Sequence, residues 1–107
     1  MNGKFIRTFI VTNGLYLQIK DISSNYNISK NDTTINCISS NISVNLLQTS
    51  TVIKDGASQI FFIKNSSSGD VFITPFTNEF IENSVNLTLP SKHCISIQAT
   101  NNNWIII

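Results

Sequence analysis

The stretch that decides the fold runs from Gly56 to Ile107 and reads GASQIFFIKNSSSGDVFITPFTNEFIENSVNLTLPSKHCISIQATNNNWIII. Apolar residues alternate along its short segments, and Ser, Asn, Asp, Gly or Pro marks every gap. Alternation with a period of two sends one row of side chains to a packed face and the other towards water, so each segment reads as a strand. A chain patterned this way is all-β. Gln59 to Lys64 is apolar on both faces, which places it centrally in a sheet or against a second subunit. Pro75 and Pro90 each fall at a strand end, where a missing backbone donor costs no ladder bond.

Working back towards the N-terminus, Asp55-Gly56 is a turn signal preceded by the short link TVIKD. From Asn25 to Ser50, TINCI and ISVNLLQ read as a strand pair joined by the polar turn SSN, with Ile42, Val44 and Leu46 on one side. From Asn2 to Ser24, Asn13-Gly14 accepts positive φ and predicts a hairpin. Helix signals are confined to Asn78–Asn83, long enough for a single turn. The expected fold is a single all-β domain, a small antiparallel β-sandwich or β-roll of jelly-roll-like form. Residues 1–24 form an N-terminal zone of strands and residues 25–107 the main module.

Composition narrows the function classes. The chain has 107 residues, with Lys+Arg 7 against Asp+Glu 6, so it carries no basic footprint for a phosphate backbone. No segment is long and apolar enough for a membrane-spanning helix, and Lys4 to Val11 is too short and mixed for a signal-peptide core. Nucleic acid and membrane insertion are therefore not expected. Polarity comes mostly from Asn, Ser and Thr, which suits a crowded assembly of subunits and equally suits a genome biased towards Asn and Ile codons. Sequons at Asn27, Asn31, Asn41, Asn65 and Asn86 read as chance matches in such a chain. Cys37 and Cys94 lie in presumed strands, either as small buried hydrophobes or as a disulfide.

Residues that carry chemistry are sparse. His93-Cys94 is a lone pair without the further ligands that a structural zinc needs, and neighbours in a strand point to opposite faces and do not share a proton. Asp32, Asp55, Asp70, Glu79 and Glu82 fall at turns, where carboxylates cap local backbone donors. No phosphate loop or nucleophile elbow occurs. The reading is of a non-enzyme with no catalytic residue, no metal ligands and no cofactor. Phe61, Phe62, Phe72, Phe76, Phe80 and Trp104 concentrate apolar area in the second half and are expected to pack as its core.

From Tyr26 onward, the order of NYNISKNDTTINC, ISVNLLQTS, DGASQIFFIKNSSSGD, VFITPFTNEFIENS and ISIQATNNNWIII resembles a small β-rich module of phage tail-fibre and spike proteins, found also in fibre or capsid-associated proteins of large DNA viruses. Leu47-Gln48 departs from the Leu-Pro common there, and Phe76 to Phe80 replaces a Gly-Asp and Ile-Asp-Gly turn. The resemblance implies a virion structural protein, commonly homotrimeric, serving as a capsid spike, fibre or decoration subunit beside other capsid or tail proteins. An alternative reading is a receptor-binding module for host surface glycan, through polar loops such as Ser66–Asp70. The resemblance covers residues 1–24 least, which implies that they are the attachment strands, and interface contacts are expected from Phe5, Phe9 and Val11 there and from Phe61, Phe76 and Phe80 in the module.

Overall fold

The computed structural model describes residues 16–107, so the expected hairpin at Asn13-Gly14 lies outside the described residues. Strands form where the alternation is cleanest: β1 Ile19–Ile22, β2 Tyr26–Asn27, β3 Thr34–Cys37, β4 Ser43–Asn45, β5 Ile53–Lys54, β6 Ala57–Ser58, β7 Ile60–Asn65, β8 Val71–Thr74, β9 Phe80–Ile81, β10 Leu87–Leu89, β11 Cys94–Thr100 and β12 Asn103–Ile106. They build a six-stranded sheet, β1-β3-β7-β11-β12-β9, and a four-stranded sheet, β10-β8-β4-β2, with β5 and β6 as a separate ribbon. Buried residues from both main sheets form one core.

The all-β expectation holds, but the sheets are mixed rather than antiparallel. β1, β3 and β7 run parallel in the large sheet, and β2, β4 and β8 run parallel in the small one. Consecutive strands therefore alternate between sheets, and the chain winds forward in stacked coils. The predicted strand pair of β3 and β4 does not form, because Ser39–Asn41 carries the chain from one sheet to the other. After β8 the winding ends, with β10 antiparallel to β8 and β11 antiparallel to β7. Residues Ile19–Ile22, assigned from sequence to the attachment part, are an integral strand of the large sheet.

Register aligns Ile22, Cys37 and Asn65 across β1, β3 and β7, and a serine-rich turn follows each: Ser23-Ser24-Asn25, Ser39-Ser40-Asn41, and Ser66 to Asp70. The turns are stacked as well as similar. Asn41 N–H donates to Asp70 O at 2.8 Å, and Ser66 N–H donates to Cys37 O at 2.9 Å. Asn65, with no exposed surface, closes the third turn. Its Nδ2 donates to Gly69 O and Leu89 O, both at 2.8 Å, and its Oδ1 accepts from Ser67 N–H and the Ser67 hydroxyl. That uses the full donor set and both acceptor positions of a primary amide.

The core is aliphatic more than aromatic. Ile35, Val44, Ile63, Val71, Ile73, Ile81 and Ile97 are fully buried, and of the expected aromatic core only Phe61 and Trp104 join them, ring edge to face at 5.8 Å between centroids. Phe62, Phe72, Phe76 and Phe80 are exposed. The reason is the period of two: once Phe61 and Ile63 face inward, Phe62 must face out. Ile42, Val44 and Leu46 are buried together as expected, and β7 is interior to its sheet.

Turn chemistry explains the rest. Asp55 at φ 53° and Gly56 at φ 78° form the two-residue loop between β5 and β6. The helical turn expected at Asn78–Asn83 is absent: Asn78, Glu82 and Asn83 all have positive φ, with the short strand β9 between them. Such angles exclude a right-handed helix. One turn of 3-10 helix occurs at Thr49–Thr51 instead.

Candidate interaction surface

Alternation along β1, β3, β7 and β11 leaves two aligned rows on the outer face of the large sheet. The first is Ile19, Thr34, Phe62, Ser96, and the second is Asp21, Asn36, Lys64, Cys94. Their inward neighbours Ile35, Cys37, Phe61, Ile63 and Ile97 are buried, which fixes the direction of both rows. Ile19 is 65% exposed and Phe62 37%, unusual for large apolar side chains on a sheet face. Ile60 and Ile105 add to the same face, each cross-strand from Gln98.

Beside the first row lies an open, mostly apolar groove of about 520 Å³, lined by Leu17, Phe62, Cys94, Ser96, Ile106 and Ile107 among others. Its floor is held by Ile107 N–H donating to Ser96 O at 2.9 Å and the Ser96 hydroxyl donating to Ile107 O at 2.7 Å. The second row is polar and tied laterally. Asn36 Nδ2 donates to Asp21 Oδ1 at 2.9 Å, the Ser66 hydroxyl donates to Asn36 Oδ1, and Lys64 Nζ donates to Lys92 O at 2.8 Å. The face thus pairs an apolar strip with a strip bearing one anion and one cation.

The residues expected at interfaces are scattered. Phe5, Phe9 and Val11 lie outside the described residues. Phe61 has no exposed surface and belongs to the core. Phe80 is on β9, at the sheet edge opposite β1, while Phe76 follows β8 and lines a separate, more polar groove with Asn27, Asn45, Leu47, Gln48 and Pro75. The exposure of Ile19, Phe62 and Ile105 does not follow from the sequence, because alternation alone does not say which face of a two-sided apolar strand is covered.

Asp32, Glu79, Glu82 and His93 have structural partners. Asp32 Oδ2 accepts from the Tyr26 hydroxyl at 2.7 Å and from Ser29 N–H at 2.8 Å, a turn cap as the sequence predicts. Burial first, then the hydrogen bond to Asp32 and its charge, push the Tyr26 phenol up to about 12. Glu82 accepts from Ile106 N–H at 2.6 Å. Glu79 is buried, bound to Thr49 rather than exposed on a turn. His93 is exposed, with Nδ1 3.0 Å from Ser91 O.

Both cysteines are free thiols. Cys37 faces the core and Cys94 the outer groove, so they are on opposite faces of one sheet, and the expectation that both are buried fails for Cys94. Burial pushes the Cys37 thiol up to about 11. Among the described residues no group of three or more His, Cys, Asp or Glu side chains is placed to hold a metal ion. Comparison with family models, with curated proteins and with solved structures found no match to this chain.

Proposed function

We propose that this chain is a structural subunit of a virion, a capsid spike, fibre or decoration element that works by assembly rather than by chemistry. The virion assignment is carried by the resemblance in sequence order from Tyr26 onward. The mode of action is carried by one observation, the exposed Ile19, Ile60, Phe62 and Ile105 on the outer face of the large sheet. Apolar side chains on a flat, hydrogen-bonded surface lose water contact when another surface covers them, and each fully covered one contributes about 1.5–3 kcal/mol.

Rigid stacked coils suit that role, since every central strand is hydrogen-bonded on both edges and little order has to be gained on docking. Antibody raised against the purified protein should label intact particles and follow them through a density gradient. Protein confined to the unassembled fraction at the top of the gradient would overturn the assignment.

A further inference from the structure

We propose that the outer face of the six-stranded sheet is an isologous interface between two copies of this chain, related by a twofold axis lying close to the direction of β3. This rests on the assembly reading above and adds the partner and its register. β1 and β7 flank β3, all three parallel and in register, so the face presents Ile19-Thr34-Phe62 in one row and Asp21-Asn36-Lys64 in the next. A half-turn about an axis along β3, in the plane between two such faces, exchanges the β1 side with the β7 side. Phe62 of each copy then faces Ile19 of the other, and Lys64 faces Asp21. Thr34 and Asn36, on the axis, face their own copies, where uncharged hydrogen-bonding groups are tolerated.

The register selects this axis over its neighbour. An axis along β7 would set Lys64 against Lys64, a like-charge contact, and would leave Asp21 without a facing cation. The β3 axis places apolar on apolar and cation on anion twice over, as self-complementary twofold contacts require. Sheets packed face to face cross at about 30°, so the axis bisects two β3 strands that run in the same direction.

The test is the mass of the full chain by sedimentation velocity across a wide concentration range, with three variants beside it. Expected is a monomer–dimer equilibrium. Lys64→Asp and Asp21→Lys should each raise the dissociation constant by roughly tenfold or more, because each creates two like-charge contacts. Combining Asp21→Lys with Lys64→Asp should bring it back to within about threefold of the original, since the exchanged pair keeps its complementarity. Lys64→Asp, on the outer face of an interior strand, carries the test alone if Asp21→Lys loses its fold by circular dichroism.

A three-subunit species, which the family resemblance implies, would overturn the twofold register, as would failure of the double exchange to restore association. A monomer throughout would equally overturn it. Particle labelling is independent of these results. A monomer that follows particles defeats only this interface, and a dimer absent from particles defeats only the virion reading.

Discussion

Glu79 accepts two hydrogen bonds from one residue thirty positions earlier, Thr49: the backbone N–H reaches Oε1 and the hydroxyl reaches Oε2, each at 2.9 Å. Asn102 N–H donates to the same Thr49 hydroxyl oxygen at 3.2 Å. The turn at Thr49 is thus tied to those at Glu79 and Asn102, which the bond from Phe80 N–H to Asn102 O already joins. Hydrogen bonds to an ionised group contribute about 1.5–3 kcal/mol, and a buried charge that loses a donor also keeps its desolvation cost. Thr49→Val, which removes the hydroxyl and keeps the shape, should therefore destabilise the fold by about 2–3 kcal/mol in urea titration. Glu79→Gln, which keeps an acceptor and adds a donor, should cost less than Glu79→Ala.

Asn65 should tolerate no substitution. Replacing it by Asp keeps the volume but removes both donors to Gly69 O and Leu89 O and buries a charge, whereas Leu removes all four side-chain hydrogen bonds. Both variants should lose about 3 kcal/mol or more in chemical denaturation. Equal stability of Asn65→Asp and the parent at neutral pH would show that water replaces the lost donors.

Alkaline pH should weaken the protein through Cys37. Its thiol is held protonated up to about 11 by burial, from an ordinary value of 9.0. The unfolded chain ionises first, so the stability present below about pH 9 is lost as pH rises towards 11, by about 2–3 kcal/mol. Tyr26, pushed up to about 12, adds a further loss beginning near pH 10. The urea midpoint should be flat near neutrality and fall above about pH 9. Cys37→Val should remove the earlier part of that fall and leave the later one.

Neighbouring phenylalanines should differ sharply. Phe61 packs against Trp104 with no exposed surface, and Phe61→Ala should cost about 3–5 kcal/mol. Phe62→Ser, on the opposite face, should stay within about 1 kcal/mol of the parent for the isolated subunit. A comparable loss from both would mean that the outer face is covered within the subunit.

Those two residues also show what was legible in the sequence. The existence of strands, the turn at Asp55-Gly56, the stops at Pro75 and Pro90 and the inward set Ile42, Val44, Leu46 follow from period and turn chemistry, and the structure has them. Pairing partners do not follow, because a serine-rich turn reads alike whether it closes a hairpin or carries the chain to a second sheet. Ser39–Asn41 does the latter, and the antiparallel expectation fails with it. The exposed apolar face was hidden for a related reason: IFFIK is apolar in both phases, and only the burial of Phe61 and Ile63 shows which phase is left uncovered.

The stacking of successive turns can be tested at one atom. A Cβ added to Gly69 would sit 2.8 Å from Ser40 Cβ, closer than real Cβ atoms approach, and a tight 3.1 Å from its hydroxyl. Gly69 therefore reports on the second turn pressed against the third, beside the bond from Asn41 N–H to Asp70 O. Gly69→Ala should destabilise the fold by about 1–3 kcal/mol through overpacking. Ser40→Gly alone should cost about 1 kcal/mol or less, by loosening the unfolded chain. If the stacked turns are the cause, the double variant should be less destabilised than the sum of the singles by an interaction term of about 1 kcal/mol. Strict additivity in that cycle would mean that Gly69 is required for its own turn and not for the contact between coils.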